Sequence, residues 1–222
     1  MNIFDIIGPV MIGPSSSHTA GACRIGYIAR KILAEEPREA RITLSGSFAE
    51  TYRGHGTDLA LIAGILGMKP DDSRLPESLA IARKRGLAYS FERRDIPGSH
   101  PNTASIVLVG DTGSIEVEGA STGGGNILIN RLNGMESAFT GQYNTLIIPH
   151  RNTAGVIADV TRILAQHGIN IGYFKMARPM KGETAIMIIE TDSGIDRALL
   201  SEIRSLKEVL HAVYLHANDQ EA

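Results

Sequence analysis

Thr145-Leu146-Ile147-Ile148-Pro149-His150-Arg151-Asn152-Thr153-Ala154-Gly155-Val156-Ile157-Ala158-Asp159-Val160 changes its hydrophobic period partway along. Thr145 to Pro149 is a short β-rich run, whereas from Gly155 to His167 the apolar positions recur at helical spacing. The rest of the C-terminal third continues the alternation. It reads as a strand from Ile169 to Met176, a turn near Pro179 to Gly182, a strand from Thr184 to Thr191, a helix from Asp196 to Ser205 and a strand from Val209 to His216. The order is βαββαβ, a split βαβ unit. Asn152 and Thr153 supply oxygens suited to capping the first helix, and Gly168 suits the C′ position after His167.

Upstream, Asn133 to Gln142 reads as a linker, since Asn-Gly, Ser and Thr-Gly weaken any periodic signal, and the second unit begins at Tyr143. The first unit, Met1 to about Thr140, mixes helices and strands. Ala22 to Leu33 is helical, with Ile25, Ile28, Ala29, Ile32 and Leu33 on one face; Arg41 to Ser45 alternates as a strand; Leu59 to Leu66 is a mostly buried helix; Leu87, Tyr89 and Phe91 alternate again. Ser105 to Val109 and Ser114 to Glu118 form a hairpin around the turn residues Gly110-Asp111-Thr112-Gly113. Ser121-Thr122-Gly123-Gly124-Gly125-Asn126 closes the unit, its glycines allowing either a sharp flexible turn or close approach to a ligand. It matches neither a P-loop nor a dinucleotide fingerprint.

At 222 residues, 43% hydrophobic and 21% charged, the composition is that of an ordinary soluble protein with room for two domains. A net charge of −2 provides no broad basic field for nucleic acid, and Lys84-Arg85 and Arg93-Arg94 read as solvated surface. Met1 to Ile7 lacks a basic leader region, and no run approaches the length of a membrane span, so the expected location is cytoplasmic with no membrane partner. The single cysteine, Cys23, excludes an intrachain disulfide. It also excludes holding an iron–sulfur cluster alone, which needs at least three thiolates, and its place in a helical run suits a small buried hydrophobe.

Three polar segments carry the chemistry. Gly13-Pro14-Ser15-Ser16-Ser17-His18-Thr19-Ala20-Gly21 sets four hydroxyls and an imidazole just before a helix. Such oxygens cap a helix start, and the adjoining N–H groups attract a carboxylate or phosphate. One serine suffices for capping, so the segment exceeds that need. Gly54-His55-Gly56-Thr57-Asp58 opens an apolar helix, and Ser99-His100-Pro101-Asn102-Thr103 opens a strand. His55 lacks apolar neighbours that would bury it, leaving a surface turn as the competing role, and for His100 a structural hydrogen bond competes with catalysis. His150, His167, His211 and His216 lie at element ends of the second unit, where a surface role suffices. No HExxH or CxxC pairing supports a zinc site, and no metal ligand is assigned.

Together these three segments resemble the β chain of the bacterial two-subunit iron–sulfur L-serine dehydratase, over essentially the whole chain, with Ser-Ser-His-Thr the most specific part. His150 to Val160, followed by His167-Gly168-Ile169-Asn170-Ile171, resembles an ACT regulatory domain. The implied fold class is α+β: a mixed N-terminal domain over 1–140, resembling an allosteric substrate-binding (serine dehydratase β) domain, and a ferredoxin-like ACT domain over 143–222. The resemblance implies conversion of L-serine to pyruvate and ammonia, with the [4Fe–4S] cluster ligated by a partner α subunit. By the resemblance alone, a monovalent cation such as K+ is a candidate requirement. It also implies an effector site at Asn152, Thr153, Ala154, Gly155 and Asn170, against dimerisation alone, and a homodimer through the ACT domain.

Dehydrating serine requires removal of a weakly acidic α-proton and expulsion of the hydroxyl group, which a Lewis acid such as cluster iron polarises. A pyridoxal route needs a Schiff-base lysine in a phosphate-binding context, and none is present. In the resulting assignment His18 and His55 move the proton, Ser15, Ser16, Ser17, Thr19 and Thr57 bind substrate, and His100 and Asn102 orient its polar groups. The first domain also resembles the accessory domain of some D-3-phosphoglycerate dehydrogenases, which makes a purely regulatory amino-acid-binding subunit the alternative. A stand-alone ACT-linked binding module is disfavoured by the three histidine segments.

Overall fold

The computed structural model describes residues 10–179 and 183–217; the expected features at Met1 to Ile7 and at the 180–182 end of the turn lie outside them. The chain divides into two compact units between Gly134 and Met135.

The first unit begins with a π-helical turn, Ser16–Gly21, that runs directly into α1, Ala22–Leu33. It continues through β1 (Glu39–Ser45), α2 (Gly46–Thr51), α3 (Thr57–Ile65), a 3-10 turn at Leu75–Glu77, α4 (Ser78–Lys84), β2 (Ala88–Arg93), β3 (Thr103–Val109), β4 (Ser114–Gly123) and β5 (Asn126–Leu132). The strands lie in the order β2-β1-β3-β4-β5, with β2 parallel to β1 and the other pairs antiparallel. The periodicity of α1 is realised in its buried face of Cys23, Ile25, Ile28, Ala29 and Ile32.

Two glycines let α1 and α3 cross with their backbones in contact. A Cβ on Gly26 would lie 2.3 Å from the Leu61 carbonyl oxygen, and one on Gly64 would lie 2.0 Å from that of Cys23. This close crossing positions the helices' leading segments, the π-turn before α1 and Gly54-His55-Gly56 before α3. Neither α2 nor α4 is apparent from periodicity. With six and seven residues, these helices are too short to show a 3.6-residue repeat.

In the second unit, β6 (Met135–Phe139) occupies the expected linker. Buried Ser137 satisfies its hydroxyl on the Met135 carbonyl at 3.0 Å, so a polar-looking segment can still be a strand. Then follow β7 (Asn144–Arg151), α5 (Val156–Gln166), β8 (Ile171–Ala177), β9 (Thr184–Thr191), α6 (Arg197–Ser205) and β10 (Val213–Leu215). The sheet order β10-β7-β9-β8, antiparallel throughout, is the ferredoxin-like arrangement. Leu146, Ile148, Met187 and Ile189 from the sheet pack on Val156, Val160, Ile163 and Leu164 of α5 and Leu199 and Ile203 of α6.

The last strand is shorter than expected. Val209 makes one isolated bridge to His150, and regular pairing begins at Val213. Capping of α5 also departs from expectation, since its N-cap is Gly155, at φ +96°, with no side-chain hydrogen bond from Asn152 or Thr153.

Candidate active site

Ser15 caps the π-turn, its Oγ accepting from the His18 backbone N–H at 3.2 Å. This puts the His18 ring above the turn, with Nδ1 3.5 Å from Ser15 Oγ and Nε2 3.2 Å from Ser47 Oγ. Phe48 packs edge-on to the imidazole at 5.2 Å, and His55 meets it edge-to-face at 4.8 Å between centroids with an 87° interplanar angle. Burial holds the His18 pKa below the ordinary imidazole value, and proximity to His55 lowers it further, while a hydrogen bond to Ser47 works in the opposite direction. His18 is thus a neutral imidazole near pH 7, able to accept a proton.

The third segment joins through α2. Pro101 lies so close to Gly46 that a Cβ there would be 2.6 Å from the Pro101 carbonyl oxygen, and Gly46 takes φ +56°. The Phe48 N–H donates to that carbonyl at 3.3 Å. The Asn102 N–H donates to His100 Nδ1 at 3.1 Å, so the His100 ring braces its own loop. Three segments far apart in sequence therefore converge on the short α2 turn, which sequence reading missed along with Ser47 and Phe48. Ser47 had no local signal. Its role follows from a contact across 29 residues.

Among the described residues, each of the three segments carries a buried oxygen without a hydrogen-bond partner, Thr19 Oγ1, Thr57 Oγ1 and Asn102 Oδ1; Ser121 Oγ and, in the second unit, His150 Nε2 are likewise buried and unpartnered. Buried polar atoms are nearly always paired, so unpaired ones mark a place where a ligand or ordered water completes the bonding. Thr19, Thr57 and Asn102 are among the expected residues. Ser121 is new: a Cβ on Gly21 would lie 2.1 Å from its Oγ, which places β4 against the π-turn. Its signal in the sequence is adjacency to the triple glycine. Ser16 and Ser17 are half-buried on the π-turn, and His55 and His100 are exposed.

Cys23 is fully buried, its thiol donating to the Met68 carbonyl at 3.4 Å and pushed up to about 12 chiefly by burial. It is an inert core residue. Among the described residues no group of three or more His, Cys, Asp or Glu could hold a metal ion, and no helix is long and apolar enough to cross a membrane.

In the second unit, Asn152 to Gly155 form the β7–α5 loop, where the Asn152 N–H donates to the Glu183 carbonyl at 2.7 Å. Asn170 lies elsewhere. It precedes β8, bonds Asp192, and sits at the Asn144 end of the sheet, opposite the loop. Within one copy these five residues do not form one site. His150 is buried at 1% exposure, contrary to a surface role, with Nδ1 bonded to the Arg151 carbonyl at 2.7 Å. Alternation along β7 puts it on the helix-facing side with Leu146 and Ile148, a packing role that position near a strand end does not reveal.

Residues 2–85 match the family model for the serine dehydratase beta chain, and residues 145–208 match that for the ACT domain. The chain is 44% identical over 209 residues to the probable L-serine dehydratase, beta chain, of Bacillus subtilis (strain 168), covering 94% of this chain and 95% of that protein. It is 37% identical over 214 residues to the L-serine dehydratase, beta chain, of Peptoniphilus asaccharolyticus, covering 96% of each. A D-3-phosphoglycerate dehydrogenase of Bacillus subtilis is 27% identical over 192 residues, which are 85% of this chain and 36% of that protein. With both family models matched and near full-length likeness to two such subunits, the chain belongs to the family of L-serine dehydratase β chains.

Proposed function

We propose that this β chain supplies the positioning half of an active site shared with the α subunit, using its 1–140 domain, while the 143–222 ACT domain dimerises and carries any effector loop. The observation that carries the reading is the His18–His55 pair, edge-to-face at 4.8 Å, on segments that also carry the buried, unpartnered oxygens of Thr19 and Thr57. One buried cysteine with a thiol near 12 is unsuited to cluster ligation, which supports a [4Fe–4S] cluster held by the partner. That cluster supplies the Lewis acid that polarises the serine hydroxyl.

Neutral His18 takes the α-proton as the Cβ–O bond breaks, and the departing hydroxide is neutralised to water by a proton that the imidazolium gives up; the aminoacrylate formed tautomerises to an imine and hydrolyses to pyruvate and ammonia. Hydroxyls of Ser15, Ser16, Ser17, Thr19 and Thr57 donate to the substrate carboxylate. Asn102 Oδ1 accepts from its ammonium, and His100 keeps the Asn102 loop in place. Holding reactants in register is worth several orders of magnitude in rate, so these contacts contribute even where they transfer no proton. An effector bound at Asn152 to Gly155 together with Asn170 draws Asn170 from a second copy, because within one copy they lie at opposite ends of the sheet.

The test is anaerobic pyruvate formation from L-serine by this chain, by the cluster-bearing chain and by the two reconstituted, with His18→Ala and His55→Ala in parallel. Activity only in the mixture, lost in the variants without loss of assembly, is the expected result. Full turnover by the cluster chain alone, merely shifted in serine dependence by this one, would establish the regulatory alternative instead.

A further inference from the structure

We infer that Arg24 is a positioning residue for the substrate, acting through the triple-glycine turn on Ser121. The inference rests on the active-site reading above. Ser121 Oγ is buried and lacks a partner, and its contact with Gly21 presses β4 onto the π-turn. Immediately beyond it the β4–β5 register shifts, between Ser121 and Gly123, a type of irregularity that re-aims side chains next to binding sites.

Gly123, Gly124 and Gly125 then take φ +103°, +61° and +81°, a backbone that only glycine adopts readily. The pairing of Gly123 with Asn126 closes the turn over Gly124 and Gly125, and a Cβ at Gly123 would touch nothing within 4 Å while one at Gly124 would meet Asn126 Nδ2 at 3.6 Å. Three consecutive glycines are the most entropically costly segment to order, and beyond the strand pairing a side-chain bond can restrain the turn further.

Arg24 does so. From the first turn of α1, its Nη1 donates to the Gly125 carbonyl at 2.7 Å, with the guanidinium largely withdrawn from solvent. Arg24 lies three residues beyond Gly21, so one rigid helix grips the hairpin on both sides of the register shift, at Ser121 by contact and at Gly125 by a charge-assisted bond. The crossing of α1 on α3 fixes that helix in turn. Burying an arginine is costly and rare unless it is paired, and a carbonyl at the end of a turn otherwise stays in water. The geometry favours a purpose in placement over one in stability.

The experiment compares wild type, Arg24→Met, Arg24→Lys, Ser121→Ala and the Arg24→Met/Ser121→Ala double variant, each reconstituted with the cluster-bearing chain. It reads KM and kcat for L-serine alongside amide exchange of residues 123–126 in the isolated chain. Losing a charge-assisted bond is expected to raise KM about tenfold in Arg24→Met with little change in kcat, and Arg24→Lys recovers most of it. Exchange at the turn accelerates in Arg24→Met. In the Ser121→Ala background the methionine adds little further effect, because the two act along one line.

An unchanged KM overturns the inference, whatever happens to the melting temperature, and so does full additivity in the double variant. A wild-type pair that makes no pyruvate overturns the active-site reading itself, and the inference with it. Normal wild-type turnover with unaltered Arg24 kinetics overturns the inference alone.

Discussion

Around the π-turn, the buried hydroxyls of Thr19, Thr57 and Ser121 have no partners, whereas in the second unit Thr145 and Thr191 each donate to a backbone carbonyl at 2.8 Å. Both sets are almost wholly buried. In the first unit Ser78 and, within the third segment, Thr103 are paired, each donating to a carbonyl at 2.7 Å. Among the described residues the unpaired buried oxygens all fall in the first unit, on the three histidine segments and at Ser121, while the second unit carries one unpartnered buried nitrogen, His150 Nε2. An unpaired buried hydroxyl costs stability that a ligand can restore, so under the proposed function this contrast in hydroxyl pairing separates a binding region from a folding one.

The strongest challenge to that distinction is His18→Ala. Removing the proposed general base is expected to lower kcat/KM of the reconstituted enzyme by about 10²–10⁴-fold, read as anaerobic pyruvate formation, while the urea midpoint of the chain changes little. Leu164→Ala probes the other side. Emptying this fully buried site on α5 should cost about 2–5 kcal/mol of second-unit stability in urea unfolding. Thr57→Val tests the contrast directly, since it replaces an unpaired hydroxyl with a methyl group. Stability should hold or rise, because a buried unsatisfied group costs about 1–3 kcal/mol, while KM for serine increases. A stability loss would mean that the hydroxyl was already satisfied.

A smaller effect is read by NMR titration of His18. Its pKa should lie below the ordinary imidazole value of about 6.5, and His55→Ala should raise it only partway, because burial is the larger cause. Folded His18 binds its proton less readily than the unfolded chain, so its contribution to stability is intact above about pH 6.5 and declines as the pH falls below that. Smallest is Glu202→Gln. It removes the 2.9 Å partner of His167 between α6 and α5, and, at this exposure, should shift unfolding by less than about 1 kcal/mol.

The second unit was readable because its elements are long enough to carry a period. The expected strand Thr184 to Thr191 matches β9 end to end, and the α6 boundary follows from Asp196, whose Oδ1 accepts from Leu199 N–H at 2.8 Å. In the first unit, α1, α3 and the β3–β4 hairpin were equally legible. The misses share a cause. α2 spans two turns at most, β6 buries a serine, and the role of Glu35 in capping the hairpin turn through the N–H groups of Asp111, Thr112 and Gly113 depends on a contact over 76 or more residues.

Local chemistry in the chain was enough to identify His18, His55 and His100 as polar segments at element starts, because serine, glycine and proline mark those places through their own backbone preferences. It was enough, too, to make Cys23 a core residue and to show that one thiolate cannot hold a cluster alone. That the segments meet at all is a property of long-range packing. The bare backbone contact at Gly26 and Gly64 sets where α1 and α3 begin relative to each other, and the Gly46–Pro101 contact brings in the third segment. Ser47, Phe48, Ser121 and Arg24 acquire their roles from neighbours 29 to 101 residues away, distances over which no periodicity or capping signal extends.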